Sequence, residues 1–160
     1  MSEAEHNNVT ELAVHNLEAL VELQRSKFRA EGEVTYETRI DRLKRLRALI
    51  VENKTEFAAT TKREFNGARS YEFSLFSEFA SKVEAIDYSM KNLKAWMKPE
   101  GRKTNKPMNF LGGKGQVRYF PKGVVGIISP WNLPFGLTVA PLTSALAAGN
   151  RALLKPSEYV

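Results

Sequence analysis

One polar loop in the last quarter of the sequence carries a side chain that could act on a carbonyl group. Asn132 lies four residues after Ile128, in a loop that Pro130 and Pro134 stiffen. A side-chain amide stays neutral at every working pH and carries two hydrogen-bond donors. Those properties suit a group that stabilises negative charge as it develops on a carbonyl oxygen. A loop asparagine is also a common turn residue, and the residue type alone does not decide between the two interpretations.

A second pair of polar residues, Lys155 and Glu158, follows a second apolar run, with Pro156 between them. An ammonium donor and a carboxylate acceptor three residues apart can together hold the two hydroxyls of a ribose. Because Pro156 directs the chain away from the preceding strand, both side chains can project at the end of that strand. The alternative is an ordinary ion pair on the surface.

The elements that position these residues are predicted to be a strand, a helix and a second strand. The run Val124–Ile128 is apolar and β-branched, as in a strand buried on both faces. An Ala- and Leu-rich segment, Phe135–Ala148, is closed by Gly149-Asn150, and Ala152–Leu154 forms the second apolar run. This is the length of a βαβ unit, whose two strands are parallel. The two polar loops should therefore meet at the carboxyl edge of the sheet, where open α/β sheets bind ligands.

The residues of this unit resemble the aldehyde dehydrogenase superfamily. The resemblance is carried by ISPWN at Ile128–Asn132, APLTSALAAGN at Ala140–Asn150 and LLKPSE at Leu153–Glu158. The longer run FPKGVVGIISPWNLPF is closest to the class 3-like branch, and within it to coniferyl aldehyde dehydrogenases. The resemblance implies an α/β fold, in which N-terminal helices precede the first βαβ unit of a Rossmann-like NAD-binding domain. It covers only the N-terminal part of a family chain, so the fold is expected to be incomplete.

The resemblance also implies a role for each residue of the edge. Asn132 would be the oxyanion donor, and Lys155 and Glu158 would hold the adenosine ribose of NAD. A carboxylate beside the 2′-hydroxyl should repel a 2′-phosphate, so NAD is expected ahead of NADP, although NADP is not excluded. Trp131 is expected to pack beneath the cofactor or the loop. Further contacts to the dinucleotide, through backbone or apolar groups, are expected from Ile127, Ile128, Ser129 and Pro130.

The implied reaction needs groups that this sequence lacks. In the family a cysteine thiolate attacks an aldehyde, a hydride passes to the nicotinamide, and water releases the carboxylic acid. The 160 residues contain no cysteine, and neither His6 nor His15 lies near the motif. Gly123 and Gly126 belong to the strand and do not form a phosphate-binding loop. We therefore expect a cofactor-binding portion that is inactive alone, for coniferyl aldehyde or another aromatic or long-chain aldehyde.

Composition and charge limit the kinds of partner that the protein is expected to have. The chain is 42% hydrophobic and 26% charged, with a net charge of +6, and no apolar stretch approaches the roughly 18 residues of a membrane span. We expect a cytoplasmic protein that forms a homodimer when full length, with no membrane, nucleic-acid or metal partner. The polar, acidic N-terminus is unlike a signal or transit peptide. A different interpretation is a non-catalytic helical module that binds a protein or nucleic acid through a basic helix face, formed by Arg39, Arg42, Lys44, Arg45 and Arg47.

The chain ahead of the βαβ unit, which occupies residues 123–160, is expected in three parts. Residues 1–8 are predicted to be a disordered tail, and residues 9–98 a helical portion. Residues 99–122 are predicted to be irregular apart from a half-exposed strand at Gln116–Phe120. By resemblance this third part could be an arm that bridges subunits, and an ordinary hairpin is the alternative.

Four helices are predicted in the helical portion. The first runs from about Val9 to Arg29 and the second from about Thr35 to Glu52. Asn53 and Glu56 have the spacing of a capping box, so a third helix should start there and end at Asn66-Gly67. The fourth follows Ser70 and stops before Pro99, with an apolar stripe at Phe76, Phe79, Val83, Ile86, Met90, Leu93 and Met97.

Overall fold

The computed structural model describes residues 3–159, and describes side chains for residues 16–159. Long helices form the first part, a short hairpin follows, and a βαβ unit ends the described chain. The elements are α1 (Glu3–Glu31), α2 (Tyr36–Glu64), α3 (Tyr71–Ser74), a π-helical segment (Leu75–Ala80), α4 (Ser81–Trp96), β1 (Glu100–Arg102), β2 (Gly115–Val117), β3 (Val124–Ile128), α5 (Pro134–Ala147) and β4 (Arg151–Lys155).

Helix α1 begins earlier than the apolar spacing indicated. It starts at Glu3, so the structure has helix over residues 3–8, where we expected disorder. Residues 1 and 2 of the expected tail lie outside the described residues.

The predicted second and third helices are one helix, α2. Thr35 caps its start, since the hydroxyl accepts a hydrogen bond from the backbone N–H of Thr38 at 3.2 Å. The capping box predicted at Asn53 is wrong. The amide of Asn53 instead donates to the carbonyl oxygen of Leu49 at 2.8 Å, one turn back, as a polar residue does in a helix interior.

The predicted fourth helix starts where expected, but a π-helical segment interrupts it. Ser70 caps it by accepting a hydrogen bond from the backbone N–H of Phe73 at 3.0 Å. Phe79 and Ile86 of the expected stripe are buried, whereas Phe76 is 76% exposed. A π turn holds one more residue than an α turn, so it breaks the 3.6-residue period and turns Phe76 away from the core.

The hydrophobic core lies between α2, the π-helical segment, α4 and α5, and not against the sheet. Its aromatic part joins Phe57, Phe79 and Phe135, whose ring centroids lie 4.6–6.0 Å apart. Such tilted and stacked pairs add to the free energy of burial. The buried residues of the cluster are Leu43, Leu46, Ile50, Ala58, Phe79, Ile86, Leu93, Val139 and Ala147.

The two strand pairs are small. β1 and β2 form an antiparallel hairpin, and β3 and β4 pair in parallel. The strand predicted at Gln116–Phe120 ends at Val117, because only its first residues find a partner strand in β1. The expected burial of β3 on both faces is wrong in this chain, since Ile127 is 6% exposed but Ile128 is 83% exposed. The sheet has only two strands, and the helices that contact it are α1 and α5. These elements do not cover both faces of β3.

Helix α5 ends as the Gly-Asn pair predicted. Gly149 has φ +85°, and the backbone N–H groups of Gly149 and Asn150 donate to Leu146 and Ala145, at 3.0 and 2.9 Å. These are the two hydrogen bonds of a Schellman motif.

The buried guanidinium of Arg39 packs against Gly149 and donates to the carbonyl oxygen of Ala147 at 3.3 Å. Burial lowers the pKa of Arg39, and the charge of Glu33 opposes that effect. A Cβ on Gly149 would lie 2.9 Å from the guanidinium carbon, so Arg39 would have to shift, and the φ of +85° favours glycine there in any case.

The basic face of α2 is largely engaged within the protein. Arg39 is buried, Arg42 pairs with Glu31, and Arg45 pairs with Asp41. Arg47 reaches Asp87 of α4 at 2.8 Å. These contacts engage four of the five basic residues on the face that could have gripped a phosphate backbone, and Lys44 is the fifth.

Candidate functional site

The parallel pairing of β3 and β4 places the two polar loops at one edge. Ile128 lies opposite Lys155 at the last position of the register. The backbone N–H of Ser129 then donates to the carbonyl oxygen of Lys155 at 3.1 Å, so the pairing extends one residue past the strands. The expectation that both loops share the carboxyl edge is confirmed.

The loop between β3 and α5 presents Asn132 to solvent. Among the described residues, no hydrogen bond occupies its side-chain amide. The backbone carbonyl of Asn132, in contrast, accepts a hydrogen bond from the guanidinium of Arg69. The loop is therefore held through its backbone, while the amide donors stay free for a ligand.

The start of this loop is anchored by hydroxyl groups. Ser129 is buried, and the hydroxyl of Thr138 lies 2.6 Å from the Ser129 hydroxyl and 2.6 Å from the Pro134 carbonyl oxygen. The side chains of Ser129 and Ile127 both point into the protein. We expected these residues to contact the dinucleotide through backbone or apolar groups. With both side chains buried, only their backbone groups can reach a ligand.

Three exposed side chains at the edge are free to meet a ligand. They are Ile128, Pro130 and Trp131. The indole of Trp131 packs against the ring of Phe65, with centroids 6.4 Å apart and planes 30° apart. Trp131 is thus supported from the helical portion, and its expected position beneath the cofactor or the loop stays a prediction.

Lys155 and Glu158 contact each other at the end of β4, and both side chains are more than half exposed. The hydrogen bond from Lys155 holds the pKa of the Glu158 carboxyl below its usual value, helped by a backbone hydrogen bond and by the lysine charge. Glu158 is therefore a carboxylate at neutral pH. The pair offers one donor and one acceptor that a ligand could separate and share.

The sequence analysis missed two residues that contact this loop and the helix after it. They are Arg69 and Glu78, and both lie more than 50 positions before the loop. The carboxylate of Glu78, from the π-helical segment, is fully buried. Its Oε2 accepts the backbone N–H groups of Phe135 and Gly136 at 3.0 and 3.1 Å, and its Oε1 accepts from Arg69 at 3.1 Å. These N–H groups belong to the first turn of α5, which has no partner for them of its own. The one local signal was an acidic residue next to an apolar stripe, which is usually a solvated position.

The surface around Asn132, Lys155 and Glu158 carries groups that could hold part of a dinucleotide. An exposed apolar residue, Ile128, stands beside a lysine–carboxylate pair at the carboxyl ends of parallel strands. Such a surface suits an aromatic base followed by a ribose diol. For the phosphates, the described residues offer no glycine-rich loop.

Nearly the whole chain matches one protein family. The family model described as "Aldehyde dehydrogenase family" aligns with residues 2–160. The chain belongs to the aldehyde dehydrogenase family. Its relatives include a probable coniferyl aldehyde dehydrogenase of Caulobacter vibrioides, 39% identical over 88% of this chain and 29% of the relative. A coniferyl aldehyde dehydrogenase of a Pseudomonas species is 41% identical over 80% of this chain and 26% of the relative.

Solved aldehyde dehydrogenase structures share the fold. A substrate-bound state of the Staphylococcus aureus protein AldH superposes with a TM-score of 0.80 at 27% identity, covering 89% of this chain and 30% of that one. An aldehyde dehydrogenase of Bacillus cereus in complex with NAD+ gives a TM-score of 0.72 at 27% identity, over 89% of this chain and 28% of that one. This chain thus spans less than a third of the aldehyde dehydrogenases it matches. None of its described helices has both the length and the apolar character to cross a membrane.

Proposed function

We propose that this chain supplies the cofactor edge and the oxyanion donor of an NAD(P)-dependent aldehyde dehydrogenase, which oxidises an aldehyde to a carboxylic acid. The observation that carries the proposal is the juxtaposition at one sheet edge. The free amide of Asn132 and the Lys155–Glu158 pair follow two strands that pair up to their last residues.

The residues at this sheet edge have different roles in binding the cofactor and the aldehyde. Glu158 and Lys155 hold the ribose hydroxyls, Ile128 and Pro130 offer apolar contact, and Asn132 donates to the carbonyl oxygen of the aldehyde. That oxygen gains negative charge when a nucleophile adds to the carbonyl carbon, and a donor held in place beforehand stabilises the charge most. When bound, the nicotinamide cofactor supplies the hydride acceptor. The nucleophile has to come from residues outside these 160, which contain no cysteine.

For the substrate we propose coniferyl aldehyde or another aromatic or long-chain aldehyde. Support comes from the names of the relatives that are 39–41% identical to this chain. The test is to assay the complete protein that carries this chain, with NAD and with NADP, on coniferyl aldehyde and on a short aliphatic aldehyde. Absorbance of the reduced cofactor gives kcat/KM for each pair. A complete protein that oxidises no aldehyde would overturn the proposal.

The 160-residue chain on its own is expected to oxidise no aldehyde with either cofactor, because it has no thiol nucleophile. The measurement is reduced-cofactor absorbance with purified chain at high concentration, against a protein-free blank. The complete protein, assayed in parallel, shows that the conditions support turnover. Turnover by the purified chain above the blank would show that a nucleophile other than cysteine operates.

Replacing Glu158 with glutamine in the complete protein is expected to raise the kcat/KM with NADP relative to that with NAD about fivefold. The reason is that two like charges about 4 Å apart in water repel by about 1 kcal/mol, and glutamine removes one of them. The measurement is the ratio of the two kcat/KM values. The matched control is Glu100→Gln, which neutralises an exposed, arginine-paired carboxylate in the hairpin. An unchanged ratio in Glu158→Gln would show that Glu158 does not face the ribose.

A further inference from the structure

We propose that Arg69 and Glu78 form a clamp that positions Asn132 for the reaction. The proposal rests on the proposed function, in which the amide of Asn132 stabilises the oxyanion. Neither residue touches the substrate in this scheme. They are positioning residues, which act through the backbone of the loop and through the first turn of α5.

The first half of the clamp is the buried carboxylate of Glu78, whose two oxygens serve different elements. One oxygen accepts both N–H groups from Phe135 and Gly136, and the other accepts from Arg69. A buried carboxylate is stable only when hydrogen bonds and an opposite charge compensate for its lost hydration. This arrangement supplies all of them, so the first turn of α5 has one favourable position relative to the π-helical segment.

The second half is Arg69, which joins Glu78 to the loop. One terminal nitrogen of its guanidinium donates to Glu78, and the other donates to the backbone carbonyl of Asn132. The guanidinium carbon also lies 4.0 Å from the ring centroid of Phe65, and that ring packs against Trp131. A planar fork can make two such hydrogen bonds in a fixed geometry and stack on a ring at once, whereas an ammonium group has no flat face to stack.

The clamp fixes the backbone of residues 131–136, and no described residue uses the Asn132 amide. That combination is what an oxyanion donor requires, because a donor that must reorganise during the reaction loses most of its effect. Glu78 also lies in the π-helical segment, and π-helical turns occur often near functional sites. The contacts of Glu78 to Arg69 and to the first turn of α5 give this π-helical segment a definite role.

The test uses the complete protein with Arg69→Ala and Arg69→Lys. A misplacement of about 1 Å can cost up to 10²-fold in rate, so we expect kcat to fall about tenfold to a hundredfold in Arg69→Ala. The KM for NAD should stay within about twofold, since Lys155 and Glu158 are untouched. Arg69→Lys keeps the charge but loses the fork, so it should lower kcat while the melting temperature stays near that of the parent protein. Arg69→Lys is also the variant to measure if Arg69→Ala does not fold.

The matched control is Arg47→Ala, which breaks an ion pair between α2 and α4 and should leave kcat unchanged.

The deciding measurement is a double-mutant cycle with Asn132→Ala, a substitution that keeps the backbone carbonyl bound by Arg69. If Arg69 acts through the Asn132 amide, adding Arg69→Ala or Arg69→Lys to Asn132→Ala should cost little further kcat. Fully additive losses, or an unchanged kcat in both Arg69 variants, would overturn the clamp while leaving the role of Asn132 intact. A normal kcat in Asn132→Ala would instead overturn the oxyanion role that the proposed function gives to Asn132, so the two failures are distinguishable.

Discussion

Replacing Asn132 with alanine in the complete protein is expected to lower kcat about 10²–10³-fold, the usual effect of losing one oxyanion donor. The KM for NAD should change little, because the ribose contacts proposed for Lys155 and Glu158 remain. The backbone of the loop should also stay in place, since Arg69 binds the carbonyl oxygen of residue 132 and not its side chain. Steady-state kinetics with saturating aldehyde and varied NAD separates the two quantities.

The control for this substitution is Asn109→Ala, which removes an exposed asparagine side chain from the connection between β1 and β2. It should leave both parameters unchanged. The opposite pattern in Asn132→Ala, with weaker NAD binding and an unchanged kcat, would identify Asn132 as a residue of the cofactor loop instead of an oxyanion donor.

The second large effect concerns the 160-residue chain purified alone, which should bind a hydrophobic dye and lack a cooperative thermal transition. Its two-stranded parallel sheet leaves Ile128 and Leu154 exposed, and parallel sheets are normally covered on both faces. Unpaired apolar strand edges also favour association between chains. Dye fluorescence, near-ultraviolet circular dichroism and a thermal melt give the three observables of such a state.

A pair of variants tests the cause. Ile128→Ser in the isolated chain should lower dye fluorescence clearly, because it removes the most exposed apolar group of the sheet. Leu49→Ser, at a singly exposed position on α2, should not. A sharp two-state melt from a soluble monomer of the parent chain would contradict the prediction and show that these residues form a self-sufficient domain.

The βαβ unit could be predicted from sequence because its signals are local. Val124–Ile128 has the bounds that its apolar run indicated, and Gly149 marks the end of α5 through a backbone conformation that favours glycine. Parallel pairing then follows from the short crossover, which brings the loops of Asn132 and Lys155 to one edge. Local patterns therefore identified most of the candidate site.

The rest depended on contacts between distant residues. The capping box at Asn53 failed because packing across α2 outweighs a preference of about 1 kcal/mol for a helix start. The π-helical segment leaves no mark in a 3.6-residue pattern, so the exposure of Phe76 was unforeseen. Arg69 and Glu78 were missed for the same reason, since their partners in the loop and in α5 lie more than 50 positions away.

Helix α5 relies on other elements for the charges at both of its ends. Its first turn has no acidic residue and its last turn no basic one, while Glu78 supplies a negative charge at the start and Arg39 a positive charge at the end. Both charges have the sign that the helix dipole favours.

This arrangement has a consequence for synthesis on the ribosome, where N-terminal segments emerge and fold first. Arg39 and Glu78 have already left the ribosome when α5 emerges. The helix can therefore form with a negative charge present for its start and a positive charge present for its end. A gene that begins at residue 123 would encode every residue of the βαβ unit. Its α5 would nevertheless lack both the Glu78 carboxylate at its start and the Arg39 guanidinium at its end.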